Sequence, residues 1–365
     1  MTDAPPPAPL PRPAPVPHDA PVPSAARRAR ELGLGVGPLP TGTHNAITDV
    51  SGVRVGHTTV RRPPRLHSGV TAIVPDGVGP ERPLPAGVFS GNGYGKLIGA
   101  TQIAELGVIE TPVLLTSTLS AFRVADALVG WVLEQPGRER VLSLNPVVGE
   151  CNDGLLSDIR SRPVREEHVR AALDGAEAGP VAEGCVGAGT GTTALGFKAG
   201  VGTSSRVVPV DGRDVTVGVL VQANFGGTLR VRGREVTPAD VGVPARPPAA
   251  DTGSCMVVAA TDAPVDARQL GRVARRAVYA LGRTGASYSH GSGDYGLAFT
   301  TRPPERPTAD AALDPLFRAV LDAVEEAVLD SLLTAEATEG IRGDVLHPLP
   351  GDALLRFLAR PALEK

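Results

Sequence analysis

From Ile47 onward the hydrophobic positions fall in short runs parted by glycine, and the runs switch between a period of two and a period of 3.6. Val53–Val60, Val70–Pro75 and Val113–Thr118 predict strands. Leu97–Leu106 and Ser120–Leu133 predict helices, the second with Ser120 as N-cap and Ala125, Leu128, Val129 and Val132 at helical spacing. Glu166–Leu173 predicts a further short helix. Val215–Ala223 is almost unbroken apolar sequence ending in a polar cluster, the pattern of a strand buried on both faces. In the last third Cys255–Thr261 predicts a buried strand. Asp266 then caps a helix with Leu270, Val273, Ala274, Ala277, Val278 and Leu281 on one face. Gly282 to Gly293 reads as a loop, Tyr295–Thr301 as a strand, and Asp314-Pro315 opens a long helix through Leu333. Strands and helices come in blocks rather than in strict alternation, which predicts a layered α+β fold with helices outside stacked sheets.

Residues 1 to about 25 contain ten prolines and little apolar surface, so 1–29 is expected to be a disordered tail and 30–365 a single folded domain. The net charge of −3 gives no bulk attraction to nucleic acid or anionic membrane. Only Lys96, Lys198 and Lys365 are lysines among 36 basic residues, which reads as codon bias. Cys151, Cys185 and Cys255 form no CxxC, and the seven histidines form no zinc-ligand spacing, so neither a metal nor an organic cofactor is expected. No charged and apolar leader and no membrane-length apolar run is present, and a cytoplasmic location is the expectation. Aromatic residues make up only 3% of the chain, so the core must rest on Val, Ala and Leu packed against glycine-bearing backbone.

Four polar clusters could hold chemistry. Gly189, Gly191 and Ala194 match G-x-G-x-x-A, but the segment lacks an apolar strand before it and an amphipathic helix after it. Tight turns flanking a strand explain it better than a dinucleotide site. In Asp251-Thr252-Gly253-Ser254-Cys255 a serine follows a glycine immediately before a strand. There the hydroxyl can attack the preceding carbonyl by an N→O shift, and hydrolysis of the ester would leave Ser254 with a free α-amine. With an ordinary pKa of about 7.7–8.0, that amine is suited to act as base for its own hydroxyl. Ser292 and Asp294 are two apart, on one face of an extended chain. Glu150 to Gly154 and Asn224 to Gly226 follow apolar runs, where sites, caps and turns all gather.

Several long segments, in order, carry a resemblance. NAITDVSGVRVGHTTV (45–60), PVVGECNDG (146–154), GTGTTALGFKAGVGTSSR (189–206), VLVQANFG (219–226), DTGSCMVVAATDAPVDARQLGRVARRA (251–277) and GRTGASYSHGSGDYGLAFTT (282–301) together resemble the L-aminopeptidase/D-esterase and β-peptidyl aminopeptidase family. The resemblance implies a self-processing N-terminal-nucleophile hydrolase with a four-layer α/β/β/α sandwich. Cleavage between Gly253 and Ser254 would give an α chain ending at Gly253 and a β chain beginning at Ser254, both kept in one domain. It further implies that Ser254 is the nucleophile, with Ser292 and Asp294 as its helpers. Asn224 would face the developing oxyanion, a contribution of about 3–4 kcal/mol in comparable sites. Glu150 would receive the substrate's free amino group. Asn152 stands where β-peptide-cleaving members have an aromatic residue, which implies a wetter substrate pocket.

The activity so implied is hydrolysis of the N-terminal residue from short peptides, amino-acid amides or esters, in a homo-oligomer that the family makes tetrameric. One alternative is an acyltransferase of the ornithine acetyltransferase type, whose nucleophile is threonine. Another is a non-catalytic relative that binds a small amine.

Overall fold

The computed structural model describes residues 27–244, 253–306 and 308–361. The proline-rich stretch up to position 26, with Arg246–Ala250, Asp251 and Thr252, lies outside the described residues. Among the described residues, contacts to the folded body are already made ahead of the expected start near Arg30. The Arg28 guanidinium pairs with Glu183 at 2.7 Å and Asp330 at 3.0 Å, and Ala29 is fully buried.

The N-terminal part runs β1 (Val53–Arg62), β2 (Leu66–Pro75), β3 (Leu84–Gly93), β4 (Leu97–Ile98), α1 (Ala100–Leu106), β5 (Val108–Ile109), β6 (Val113–Ser117), α2 (Ala121–Leu133), β7 (Val147–Cys151) and α3 (Glu166–Asp174). A small hairpin, β8 (Thr193–Ala194) and β9 (Phe197–Lys198), leads to β10 (Val201–Val210) and β11 (Arg213–Gln222). A second, β12 (Leu229–Val231) and β13 (Arg234–Val236), precedes β14 (Ser254–Thr261), α4 (Ala267–Arg283), β15 (Gly293–Thr300) and α5 (Asp314–Leu333). The chain closes with β16 (Thr338–Glu339), β17 (Val345–Leu346) and α6 (Gly351–Ala359).

Two sheets stack between two helical layers, the α/β/β/α order that the resemblance implied. One sheet has the order β1-β2-β6-β7-β4 and the other β10-β11-β14-β15-β3-β5. Alternation along each strand explains the stacking. On β14, Cys255, Val257 and Ala259 join the core beneath α4 and α5, while Met256, Val258 and Ala260 join the core between the sheets. On β2, Val70, Ala72 and Val74 face α2 and α3, and Ile73 faces the other sheet. Both faces of the central strands are therefore apolar, which is why their sequences are continuous rather than alternating.

α4 is the crossover that makes β14 and β15 parallel. Its six apolar residues are buried as expected, and Asp266 caps it reciprocally: Gln269 N donates to Asp266 Oδ1 at 2.8 Å, and Asp266 N donates to Gln269 Oε1 at 3.1 Å. Elsewhere the local signals misplace details. Ser120 makes no cap bond, because a 3₁₀ turn over Thr118–Ser120 feeds the chain into α2. Leu97–Leu106 is not one helix, since Gly99 at φ 86° divides a two-residue strand from α1. Asp314 is the first helical residue of α5, and Leu313 precedes it as N-cap.

β3, β10 and α6 are elements the hydrophobic pattern does not announce. β10 is instructive, because Thr203, Ser204, Ser205 and Arg206 are all fully buried in it. Their partners are internal. Arg206 Nη2 pairs with Glu326 Oε2 at 2.8 Å, both side chains are wholly inaccessible, and Asn45 Nδ2 donates to Glu326 Oε1 at 2.7 Å. Arg30 Nε and Val36 N complete the set, each at 2.8 Å. Burial works against the Glu326 charge, but Arg206 and these hydrogen bonds outweigh it and hold the carboxyl below its usual range. Gly202 lets α5 come down on this strand, since a Cβ there would lie 1.8 Å from Ala327 O.

Breaking this pair strands a buried charge. Glu326→Ala is expected to lower unfolding free energy by about 3–5 kcal/mol, whereas Arg268→Ala, which loses only an exposed pair with Asp310, should cost less than about 1 kcal/mol. Urea-denaturation midpoints of the two variants test the contrast.

Candidate active site

Ser254 is the first residue of β14 and is 3% exposed. Its strand pairs antiparallel with β11 through residues 217–222 and parallel with β15, with Ser254 opposite Gly293 and Cys255 opposite Asp294. Backbone register alone thus sets Ser254 beside the Ser292–Asp294 segment. Ser292 Oγ donates to Asp294 Oδ1 at 2.9 Å, and both residues are 1% exposed. The ladder between β15 and β3 shifts register between Asp294 and Tyr295, a bulge at the point where the carboxylate leaves the strand.

Asn224 follows the end of β11 and grips Ser254 by its backbone. Ser254 N donates to the Asn224 carbonyl oxygen. The Asn224 side chain is fixed at both ends: Thr193 N donates to Oδ1 at 3.1 Å, and Nδ2 donates to the Asn152 carbonyl at 3.1 Å. An amide NH₂ has two hydrogens, so one remains beyond the Asn152 bond. Asn152 itself folds back, its Oδ1 accepting from Gly154 N at 3.0 Å. The glycine-rich segment before β10 therefore orients Asn224, and its close packing has a cause. A Cβ on Gly191 would lie 2.1 Å from His67 O and 2.8 Å from Asp153 Cβ.

Glu150 ends β7 on the facing sheet, 2% exposed. Its Oε1 accepts from Lys96 N at 2.8 Å and lies 3.5 Å from Lys96 Nζ, while its Oε2 is buried without a hydrogen-bond partner. A Cβ on Gly95 would sit 3.1 Å from Gly293 Cα and 3.2 Å from Glu150 Oε1, so Gly95 is the backbone wedge between the acid and β15. All seven residues singled out from the sequence, Glu150, Asn152, Asn224, Gly253, Ser254, Ser292 and Asp294, lie on these adjoining strand ends.

Three neighbours went unread in the sequence. Cys151 Sγ donates to the Ser254 carbonyl at 2.9 Å, and burial pushes its thiol well up, so the proton stays in place. Lys96 joins Glu150 to Thr118, Nζ donating to Thr118 Oγ1 at 2.8 Å. The third, Asp153, lies beneath the Asn224 loop and accepts from Ser117 Oγ at 2.8 Å. Scarcity was the available signal for Lys96: one of three lysines in an arginine-using chain sits at the site, which codon bias does not explain.

Burial raises the Asp153 carboxyl to about 6, partly offset by its hydroxyl hydrogen bonds. A folded pKa above the unfolded value of 3.8 means that the native state holds the proton longer. The Asp153 contribution to stability is then fully present below pH about 4, falls as pH rises towards about 6, and is lost above, a change of up to about 3 kcal/mol. Buried Glu183 and Asp330 are also raised and add to the same decline, so Asp153→Asn is expected to reduce it by the Asp153 share, measured as unfolding free energy at pH 4.5 and 7.5 in both proteins.

Known proteins resemble this chain in sequence and fold. The β-peptidyl aminopeptidase BapA of Sphingosinicella microcystinivorans is 42% identical over 75% of this chain and 74% of its own. BapA of Sphingosinicella xenopeptidilytica is 39% identical over 92% of this chain and 91% of its own. Among solved structures, the L-aminopeptidase D-Ala-esterase/amidase of Ochrobactrum anthropi, described as a prototype of the serine aminopeptidases with a variant Ntn-hydrolase fold, superposes with a TM-score of 0.80 at 38% identity. That match covers 91% of this chain and 98% of the other. Residues 45–346 match Peptidase family S58. Relatives of this kind favour hydrolysis over acyl transfer or bare ligand binding, and the chain belongs to Peptidase family S58 as a serine aminopeptidase.

Proposed function

We propose that the chain cuts itself between Gly253 and Ser254 and then removes N-terminal residues from short peptides, amino-acid amides or esters, including β-amino acyl ones, through an acyl-enzyme on Ser254. Activation begins when Ser254 Oγ attacks the Gly253 carbonyl carbon. The acyl group moves from nitrogen to oxygen, and water hydrolyses the ester to give a Gly253 carboxylate and a free Ser254 amine. The hydrogen bond from Ser254 N to Asn224 O supports this order, because the same contact that aligns the amide before cleavage can retain the amine after it.

In turnover the substrate's ammonium docks on Glu150, and Ser254 Oγ attacks its first carbonyl. The Ser254 amine takes the hydroxyl proton and passes it to the leaving amine or alcohol, while Ser292 and Asp294 hold the amine in position. The spare Asn224 Nδ2 hydrogen meets the oxyanion. Water then attacks the acyl-enzyme, giving its proton to the same amine, and Ser254 is restored.

The observation that carries this reading is Glu150 Oε2. A buried carboxylate oxygen without a partner is expensive, and a cationic ligand is the chemistry that satisfies it. The reading also takes 30–365 as one peptidase domain located in the cytoplasm and, on the family resemblance, assembled as a homotetramer.

Two measurements test it. Intact mass under denaturing conditions should give two species joining at Gly253/Ser254 for the wild type and one full-length chain for Ser254→Ala; an uncut wild type after long incubation refutes self-activation. Glu150→Gln should keep self-cleavage yet lose about 10- to 150-fold in kcat/KM on amino-acid p-nitroanilides, the worth of one charge-assisted hydrogen bond.

A further inference from the structure

Lys96 is out of place beside a pocket for an ammonium ion. Its Nζ lies 3.5 Å from Glu150 Oε1 and its side chain is 40% exposed, whereas that of Glu150 is 1% exposed. An ammonium hydrogen-bonded to Glu150 Oε2 would stand roughly 4–8 Å from Nζ, given the span of a carboxylate and an ordinary hydrogen bond. Two cations then face one carboxylate in a partly desolvated setting, where like charges oppose each other. Asp294 and Asp153 are also near but already engaged, Asp294 by Ser292 and Asp153 by Ser117.

Lys96 also has capacity left over. An alkylammonium has three N–H donors. One is taken by Thr118 Oγ1 at 2.8 Å and one points to Glu150, which leaves a third on a half-exposed side chain at the edge of the pocket. A substrate that brings its own carboxylate next to its ammonium would restore the charge balance and use that donor.

We propose that Lys96 is a carboxylate-recognising residue and that the preferred substrates carry an acidic group within one or two carbons of the free amine, which is to say aspartyl residues. This rests on the docking of the amine on Glu150 proposed above. Two linkages present that chemistry. In a β-linked aspartyl residue the free α-carboxylate sits on the amine-bearing carbon and the scissile carbonyl is one carbon further away. In an α-linked one the side-chain carboxylate lies one methylene from that carbon.

The test compares kcat/KM for alanyl, β-alanyl, α-aspartyl and β-aspartyl p-nitroanilides on self-cleaved wild type, Lys96→Met and Lys96→Arg, with melting temperatures to confirm folding. In the wild type at least one aspartyl substrate should exceed its uncharged counterpart of the same linkage by about tenfold or more. Lys96→Met should erase that ratio and Lys96→Arg should keep much of it; the linkage that shows the preference identifies the source of the carboxylate. A ratio near or below one in the wild type overturns the proposal, as does an equal loss on all four substrates in Lys96→Met, which would mark Lys96 as a mere support for Glu150. Turnover of the alanyl substrates without aspartyl preference removes this inference alone. Inertness towards all four in the self-cleaved wild type removes the aminopeptidase reading together with it.

Discussion

The Ser254 half of the site hangs on the two hydrogen-bonded edges of β14. One edge runs antiparallel to β11 and brings the residue after that strand, Asn224, to the Ser254 amide. The other runs parallel to β15 and brings Gly293 level with Ser254. A parallel neighbour requires a crossover, and α4 supplies it. The apolar face of α4 therefore shapes the candidate site at one remove: it fixes how the chain returns, and the return fixes which residues stand beside Ser254.

Two buried glutamates show how differently the same side chain can be used. Glu326 has both oxygens occupied, by Arg30 and Asn45 on one and by Val36 and Arg206 on the other. It is a closed structural hub. Glu150 has one oxygen held by the Lys96 backbone and the other open. Near-equal burial with unequal satisfaction separates a residue closed within the fold from one with an open, buried oxygen.

The layered architecture and the strands at its centre were legible because burial on both faces leaves a continuous apolar run, as in Val215–Ala223 and Cys255–Thr261. The capping of α4 was legible because Asp266 and Gln269 act locally. β10 was not, since its buried polar side chains are satisfied from far along the chain: Ser204 Oγ meets Asn45, 159 residues away, Arg206 meets Glu326, 120 away, and Ser205 Oγ meets Asp49, 156 away. β3 was hidden for another reason. It is built from small residues, and a Cβ on its Gly87 would lie 2.1 Å from Gly271 N of α4, so close packing replaced hydrophobic bulk. Of the site, the structure brings the residues of the motifs together on adjoining strand ends, but Lys96 and Cys151 meet their partners across chain distances that no local pattern encodes.

The order of the six-stranded sheet has a consequence for how such a molecule can be made. β14 and β15 lie between β11 on one side and β3 on the other, so the strands following Gly253 are enclosed by strands that precede it. A break at that bond leaves two polypeptides interleaved within one sheet, and neither can leave without tearing two ladders. Synthesised apart, each would expose unpaired strand edges to every other copy in solution. Under the proposed cut, covalent continuity serves assembly and is dispensable afterwards: the peptide bond would act as scaffolding, and its removal would make the finished structure a one-way product of its own folding.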